Sequence, residues 1–274
     1  MFDAVAASKK IGAGLGAFNV IQIEHAEAIV AGAEAADRPV VIQVSENTVA
    51  YHGSLAPITL ACLSIARGSR VDIVVHLDHA VSVDLVHEAV ALGVSSVMYD
   101  ASAMSHQANV AATTEVAAWC HARGVSIEAE LGEVGGKDGV HAPGVRTDPS
   151  EAAAYVDATR VDALAVAVGS SHAMLTRDAE LDTALITELA AVVDVPLVLH
   201  GSSGVPDEGI AAAVAAGIVK VNIATQLNKV MSAAVRDALA ANLELVDPRK
   251  YLGPGRDAVT AEATRLVSLL SLRR

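Results

Sequence analysis

The sequence predicts an α/β fold, a (β/α)8 TIM barrel made by a single domain over residues 1–274, with a long loop after the fifth strand and an extra C-terminal helix. Three observations carry this expectation. The length of 274 residues is close to the roughly 250 of one such barrel. Eight short β-rich runs alternate with Ala-rich helical runs. The strand runs are continuously apolar, which calls for a parallel sheet covered by helices. Eight such units close into a cylinder more naturally than they extend an open sheet, the doubly wound sheet being the alternative topology.

The first expected strand, 16–20, is Gly-Ala-Phe-Asn-Val, and an acidic residue, Glu24, opens the helix 24–36 that follows it. The β-branched run Val40-Val41-Ile42 starts the second strand, 40–45, and Pro57 starts a helix over 57–67. The third strand, 73–79, reads Ile-Val-Val-His-Leu-Asp-His and leads to a helix over 83–92. Strand 95–101 precedes the helix 108–123, and strand 125–131 precedes the long loop 132–147, whose five glycines and one proline mark an active-site lid or binding element. Helix 150–159, strand 163–168 and helix 182–192 continue the alternation, followed by strand 196–201 and a helix over 207–216 that opens on Asp207. Strand 218–223 and helix 226–240 complete eight units. A final helix over 257–272, after the Pro- and Gly-containing tail from Asp247, is placed to pack on a partner subunit.

Composition excludes several functions. A formal charge of −13, with no basic cluster longer than Lys9-Lys10 and Arg273-Arg274, argues against nucleic-acid and anionic-membrane partners. No apolar stretch reaches the ~18 residues of a membrane span and no export signal opens the chain, so a cytoplasmic protein is expected. Cys62 and Cys120, the only cysteines, sit in apolar helical patterns and read as reduced core thiols.

In a barrel of this type, function gathers at the C-terminal ends of the strands. His79 and His200 close the third and seventh strands, and His172 follows the sixth in Val168-Gly169-Ser170-Ser171-His172. One such histidine is ordinarily a hydrogen-bonded structural residue; three converging ones read as a metal site with open coordination positions. Asp78, Asp100, Glu128 and Glu130 lie at the same rim as further ligands, acids or bases, with Glu128 and Glu130 alternatively a polar pair lining the barrel. His76 is a candidate support for a metal-binding histidine. Gly201-Ser202-Ser203-Gly204 and Asn222-Ile223-Ala224-Thr225 each lead into a helix, an arrangement suited to phosphate.

These segments resemble the class II, metal-dependent fructose-bisphosphate and tagatose-bisphosphate aldolases. The resemblance runs from Ala17-Phe18-Asn19 through His76-Leu77-Asp78-His79 and Glu128-Ala129-Glu130-Leu131-Gly132-Glu133-Val134-Gly135-Gly136. It continues through Ser171-His172 and His200-Gly201-Ser202-Ser203-Gly204 to Lys220-Val221-Asn222-Ile223-Ala224-Thr225. It implies reversible cleavage of a ketose bisphosphate to dihydroxyacetone phosphate and glyceraldehyde 3-phosphate. It assigns His79, His172 and His200 as ligands of a catalytic Zn2+, and Asp100 and Glu130 as groups that hold a second divalent ion. Asp78 matches the acid that exchanges the C4 hydroxyl proton, Asn222 the residue that fixes the enediolate, and Asp138 the base of the mobile loop. Gly201, Ser203 and Thr225 match the phosphate cradle, Asn19 and Ser45 match substrate contacts, and Gly169 and Asn222 join them as substrate- or phosphate-binding positions. The resemblance also implies a monovalent cation (Na+ or K+) near the phosphate and a homodimer or homotetramer.

The chain departs from the family where His172-Ala173-Met174-Leu175-Thr176 lacks the usual Gly and Lys, with Arg177 the candidate to restore the charge. Ser202 takes the second place of the phosphate loop, and the lid Gly135-Gly136-Lys137-Asp138-Gly139 has one acidic residue fewer. Alternatives are an aldolase acting on another phosphorylated ketose, a Schiff-base aldolase using Lys220, and a barrel that binds metal and sugar phosphate without turnover.

Overall fold

The strand runs are buried on both faces in the folded chain, with Ser126–Glu130 and Ile218–Ile223 buried at every position. Segments of this kind need a sheet covered by helices. Eight of them pair in parallel in chain order, and the eighth closes on the first. The structure, a computed structural model, describes residues 2–131, 146–170 and 176–272.

The barrel strands are β1 (Leu15–Asn19), β2 (Val40–Ser45), β3 (Ile73–Ala80), β4 (Ser96–Tyr99), β5 (Ser126–Glu130), β6 (Ala163–Ala165), β7 (Leu197–Leu199) and β8 (Ile218–Ile223). Around them lie α1 (Phe2–Lys10), α2 (Ile23–Ala36), α3 (Glu46–His52), α4 (Ala56–Arg67), α5 (Val83–Ala91) and α6 (His106–His121). The second half adds α7 (Pro149–Thr159), α8 (Thr183–Val192), α9 (Asp207–Ala216), α10 (Thr225–Ala241) and α11 (Pro248–Leu270). The β6 and β7 strands are three residues each, shorter than the runs that predicted them.

Several helices begin where a side chain replaces a missing backbone partner. Ser45, Ser82, Ser105, Asp148 and Asp182 each accept a hydrogen bond from a backbone N–H of the first turn that follows. A cap of this type contributes typically about 1 kcal/mol. The α1 and α3 helices lie outside the eight expected units. The first closes the N-terminal end of the barrel, where Ala4 and Val5 pack with Leu15, Ala17, Val41 and Val219.

The α11 helix starts at Pro248, earlier than the predicted 257, because Asp247 caps it by accepting from the Arg249 N–H. It runs through Pro254 and Gly255, where a Cβ would stand 2.5 Å from the Met231 sulfur of α10, so close packing overrides two helix-breaking residues. It folds over its own barrel: a Cβ on Gly32 of α2 would lie 2.8 Å from that of Ala263, and Gly14 donates to the Leu270 carbonyl at 2.8 Å. Among the described residues no single helix is long and apolar enough to cross a membrane. Cys62 and Cys120 are buried, which pushes their thiols up to about 12 and about 11.

Candidate active site and metal centre

Alternation along parallel strands sends every second residue into the barrel. The register sets Asn19 beside Gln43, Ser45 beside Asp78, and Ala17 beside Asn222. Near the C-terminal rim these side chains form a hydrogen-bonded row. Gln43 donates to Asn19 at 2.9 Å, Asn19 donates to Asp78 Oδ2 at 2.8 Å, and Asn222 donates to Asp78 Oδ1 at 3.3 Å. Burial works against a charged Asp78, but His79, Lys220 and His200 outweigh it and hold the carboxyl below its ordinary range.

In an undisturbed strand, consecutive Asp78 and His79 would face opposite sides. The β3–β4 register shifts between Leu77 and Ala80, and His79 takes a left-handed φ of 50°. This strained residue lets both side chains face one cleft. His79 Nδ1 lies 2.9 Å from Asp100 Oδ2, while Asp100 Oδ1 accepts from the Ser102 N–H and hydroxyl. Burial opposes charge on His79, yet Asp78 and Asp100 raise its pKa.

The His200 ring meets the His79 ring edge-on, with centroids 4.7 Å apart. Its Nε2 lies 3.0 Å from Glu128 Oε1 and its Nδ1 lies 3.4 Å from Glu130 Oε2, while its carbonyl accepts from Ser170. Burial disfavours the imidazolium, but the two carboxylates prevail and push the pKa up to about 10. Beneath, Lys220 donates to Glu128 Oε2 at 2.7 Å, and burial opposes Glu128 ionisation less than Lys220 and His200 favour it. His76 sits at the same level, bonded to Ser96 and 4.0 Å from Glu128; burial, then Lys220, lowers its pKa to about 3.

Two donor groups result, Asp78 with His79 and His200, and His79 with Asp100 and Glu130, each with ligand atoms within 4.8 Å of one another. Imidazole and carboxylate donors at this spacing fit a borderline divalent cation such as zinc. His172 and Asp138 lie outside the described residues.

Beside the donors opens a cleft of about 190 Å³. Asn19, Ser45, Gly201, Ser203, Asn222 and Thr225, all expected to contact substrate, line it together with Asp78 and His79. Gly201 adopts a left-handed φ of 67° and begins the 3-10 turn Ser202–Gly204, which is anchored by the Ser202 hydroxyl on the Asn222 carbonyl at 2.5 Å. Gly169 lies outside that lining. At φ 119° a Cβ there would stand 2.4 Å from the Glu180 carbonyl, which accounts for the glycine.

Arg177 does not reach into the cleft as a replacement cation. Its guanidinium donates to the Val205 carbonyl and to Asp207, behind the Ser202–Gly204 turn. Two further participants escaped the sequence reading: Gln43 contributes to the row and Asn47 to the lining. A polar residue inside the apolar run Val40–Ser45 was the available signal for Gln43.

The chain matches the family model for fructose-bisphosphate aldolase class-II over residues 1–273. It is 39% identical over 251 residues to a fructose-bisphosphate aldolase of Geobacillus stearothermophilus, covering 90% of this chain and 88% of the relative. A fructose-bisphosphate aldolase of Giardia intestinalis is 37% identical over 273 residues, covering 90% of this chain and 84% of the relative. The crystal structure of an aldolase from Escherichia coli K12 superposes with a TM-score of 0.86 at 30% identity, over 98% of this chain and 95% of that one.

Proposed function

Since the chain belongs to the class II fructose-bisphosphate aldolase family, a family of carbon–carbon lyases, we propose that it uses zinc to cleave fructose 1,6-bisphosphate reversibly into dihydroxyacetone phosphate and glyceraldehyde 3-phosphate. The observation that carries this reading is one cleft in which a buried acid, Asp78, stands beside converging imidazoles, with a small-residue turn at its other edge.

His79, His200 and His172 would hold the zinc ion, which would supply the Lewis acidity that carbon–carbon cleavage needs. Asp78 accepts the C4 hydroxyl proton in cleavage and returns it in condensation. Its depressed pKa keeps it ionised at neutral pH, and Asn19 and Asn222 aim its two oxygens. The Asn222 amide, which lines the cleft, is the donor for negative charge that develops on substrate oxygen. Gly201, Ser203 and Thr225 take the phosphate, Asn19 and Ser45 orient the hydroxyls, and Asp138 moves the C3 proton. Asp100 steadies His79 and, with Glu130, offers a second place for a divalent ion.

Lys220 argues against a Schiff-base route. It is fully buried, and its ammonium is bonded to Glu128 below the cleft.

The test loads the protein with zinc and offers fructose 1,6-bisphosphate and tagatose 1,6-bisphosphate while triose phosphate is followed. Expected are release from the fructose sugar, loss in chelator, recovery with Zn2+, and no borohydride trapping. Release from the tagatose sugar alone overturns the substrate, and activity that survives chelation overturns the metal chemistry.

A further inference from the structure

Below the cleft, Glu128 and Lys220 form an ion pair that reaches no substrate space, with both side chains at most 1% exposed. A buried pair of this kind is weak evidence of stability, because desolvating two charges costs about as much as their attraction returns. Its geometry points to another task. Glu128 divides its oxygens, with Oε2 taking the Lys220 ammonium at 2.7 Å and Oε1 facing His200 Nε2 at 3.0 Å.

We propose that Glu128, held by Lys220, is a positioning residue that dictates which nitrogen of His200 is presented to the metal. The proposal rests on the zinc reading above. An ionised carboxylate accepts hydrogen bonds and donates none, so His200 Nε2 carries the hydrogen that bridges to it. A metal ion takes the place of one ring proton, so with hydrogen held on Nε2 the lone pair offered to the metal is that of Nδ1. That nitrogen is on the side of the ring toward Glu130, 3.4 Å away. The reverse tautomer would set a lone pair against a carboxylate and turn an N–H toward the metal. Lys220 secures the arrangement because its ammonium keeps Glu128 in the acceptor-only form.

The strands leave room for this. Ala163, paired with Glu128 across β5 and β6, fills little of the interior, and Val198 of β7 pairs with Lys220. Ser170 pins the His200 carbonyl at 2.6 Å and so fixes the ring's point of attachment.

A substitution series separates this role from packing. In Glu128→Gln, Lys220 claims the amide oxygen and the NH2 group turns to His200 Nε2, which favours the wrong tautomer. Zinc affinity, read by competition with a chromophoric chelator, falls by about 10- to 100-fold. Adding Lys220→Met frees the amide oxygen to accept from His200, and most of that affinity returns. Equal zinc affinity in wild type and Glu128→Gln, or a double variant that binds no better than the single one, overturns the proposal.

A second measurement needs no variant. Long-range 15N–1H spectra of the zinc-loaded wild type, with labelled histidine, are expected to show His200 bound through Nδ1 with hydrogen on Nε2. Binding through Nε2 overturns the proposal even if the variants fail to fold. A wild type that takes up no zinc overturns the parent reading and this inference with it. Unchanged affinity in Glu128→Gln overturns this inference alone.

Discussion

At the scale of single residues, Asp78 divides two kinds of loss. Removing its carboxyl in Asp78→Ala takes away the proton acceptor and leaves the imidazoles, so kcat for cleavage is expected to fall about 10²- to 10⁴-fold with close to one zinc retained. Coupled triose-phosphate assay and metal analysis on one sample check both halves. His200→Ala is expected to lose the zinc itself, since it removes one of the three imidazoles proposed to hold the ion and two cannot close its coordination. The same measurements returning stoichiometric metal would contradict the ligand role. The gathering of these side chains was legible in sequence, because His79, Asp78 and His200 close runs that are apolar apart from His76, and a barrel gathers strand ends in one place. The β3 irregularity that points adjacent Asp78 and His79 into one cleft was not legible, since a left-handed histidine leaves no mark in composition or period. Nor was the division of labour between Glu128 and Glu130. The spacing put both on one side, but only the register showed that Glu128 lies one layer deeper, level with Lys220.

At the scale of elements, a charged clamp ties the segment after β6 to the start of α9. Arg177 and Arg265 of α11 both bind Asp207, and Arg177 also holds the Val205 carbonyl next to the Ser202–Gly204 turn. Partial burial of Asp207 works against its charge, but the two guanidiniums prevail and its pKa is lowered. A carboxyl depressed in the folded state contributes stability above its ordinary value, about 4, and loses it as pH falls through the lower folded value. Asp207→Asn is therefore expected to lower Tm at pH 7 and to lose that penalty as the pH falls from about 4 through the lowered folded value, as differential scanning calorimetry would show. For Arg177→Met, detachment of the turn is expected to raise KM more than it lowers kcat, because the turn lines the cleft proposed for substrate and Asp78 is untouched. A fall in kcat alone would place Arg177 in the chemistry. The α11 boundary shows why element reading fell short here. Pro254 and Gly255 end helices by local preference, yet the fit of Gly255 against Met231 carries the helix through them.

At the scale of the whole molecule, the barrel is a frame whose candidate metal donors come from separate strands, so the proposed zinc binding is expected to be coupled to folding. Zinc at about 100 times its Kd adds about 2.7 kcal/mol to stability. Chelation is therefore expected to lower Tm reversibly, and a thermal scan unchanged by chelator would contradict a tightly held ion. The closed topology itself was legible, because eight apolar runs in alternation with helices leave few other arrangements. The plug at its base was not, since α1 is short and its Ala4 and Val5 carry no periodic signal.

The seam at α2 has a consequence for how the chain is made. Thr264 reaches the Gly32 carbonyl from 232 positions away, and Gly14 waits for the Leu270 carbonyl. During translation the earliest β-strand is complete long before its covering helix leaves the ribosome, so its outer face stays bare through most of synthesis. Swapping Gly32 for valine forces that late-arriving helix off its seat at a cost of roughly 1–3 kcal/mol. The defect should surface as poor yield of nascent protein at high growth temperature sooner than as slow turnover in whatever does mature.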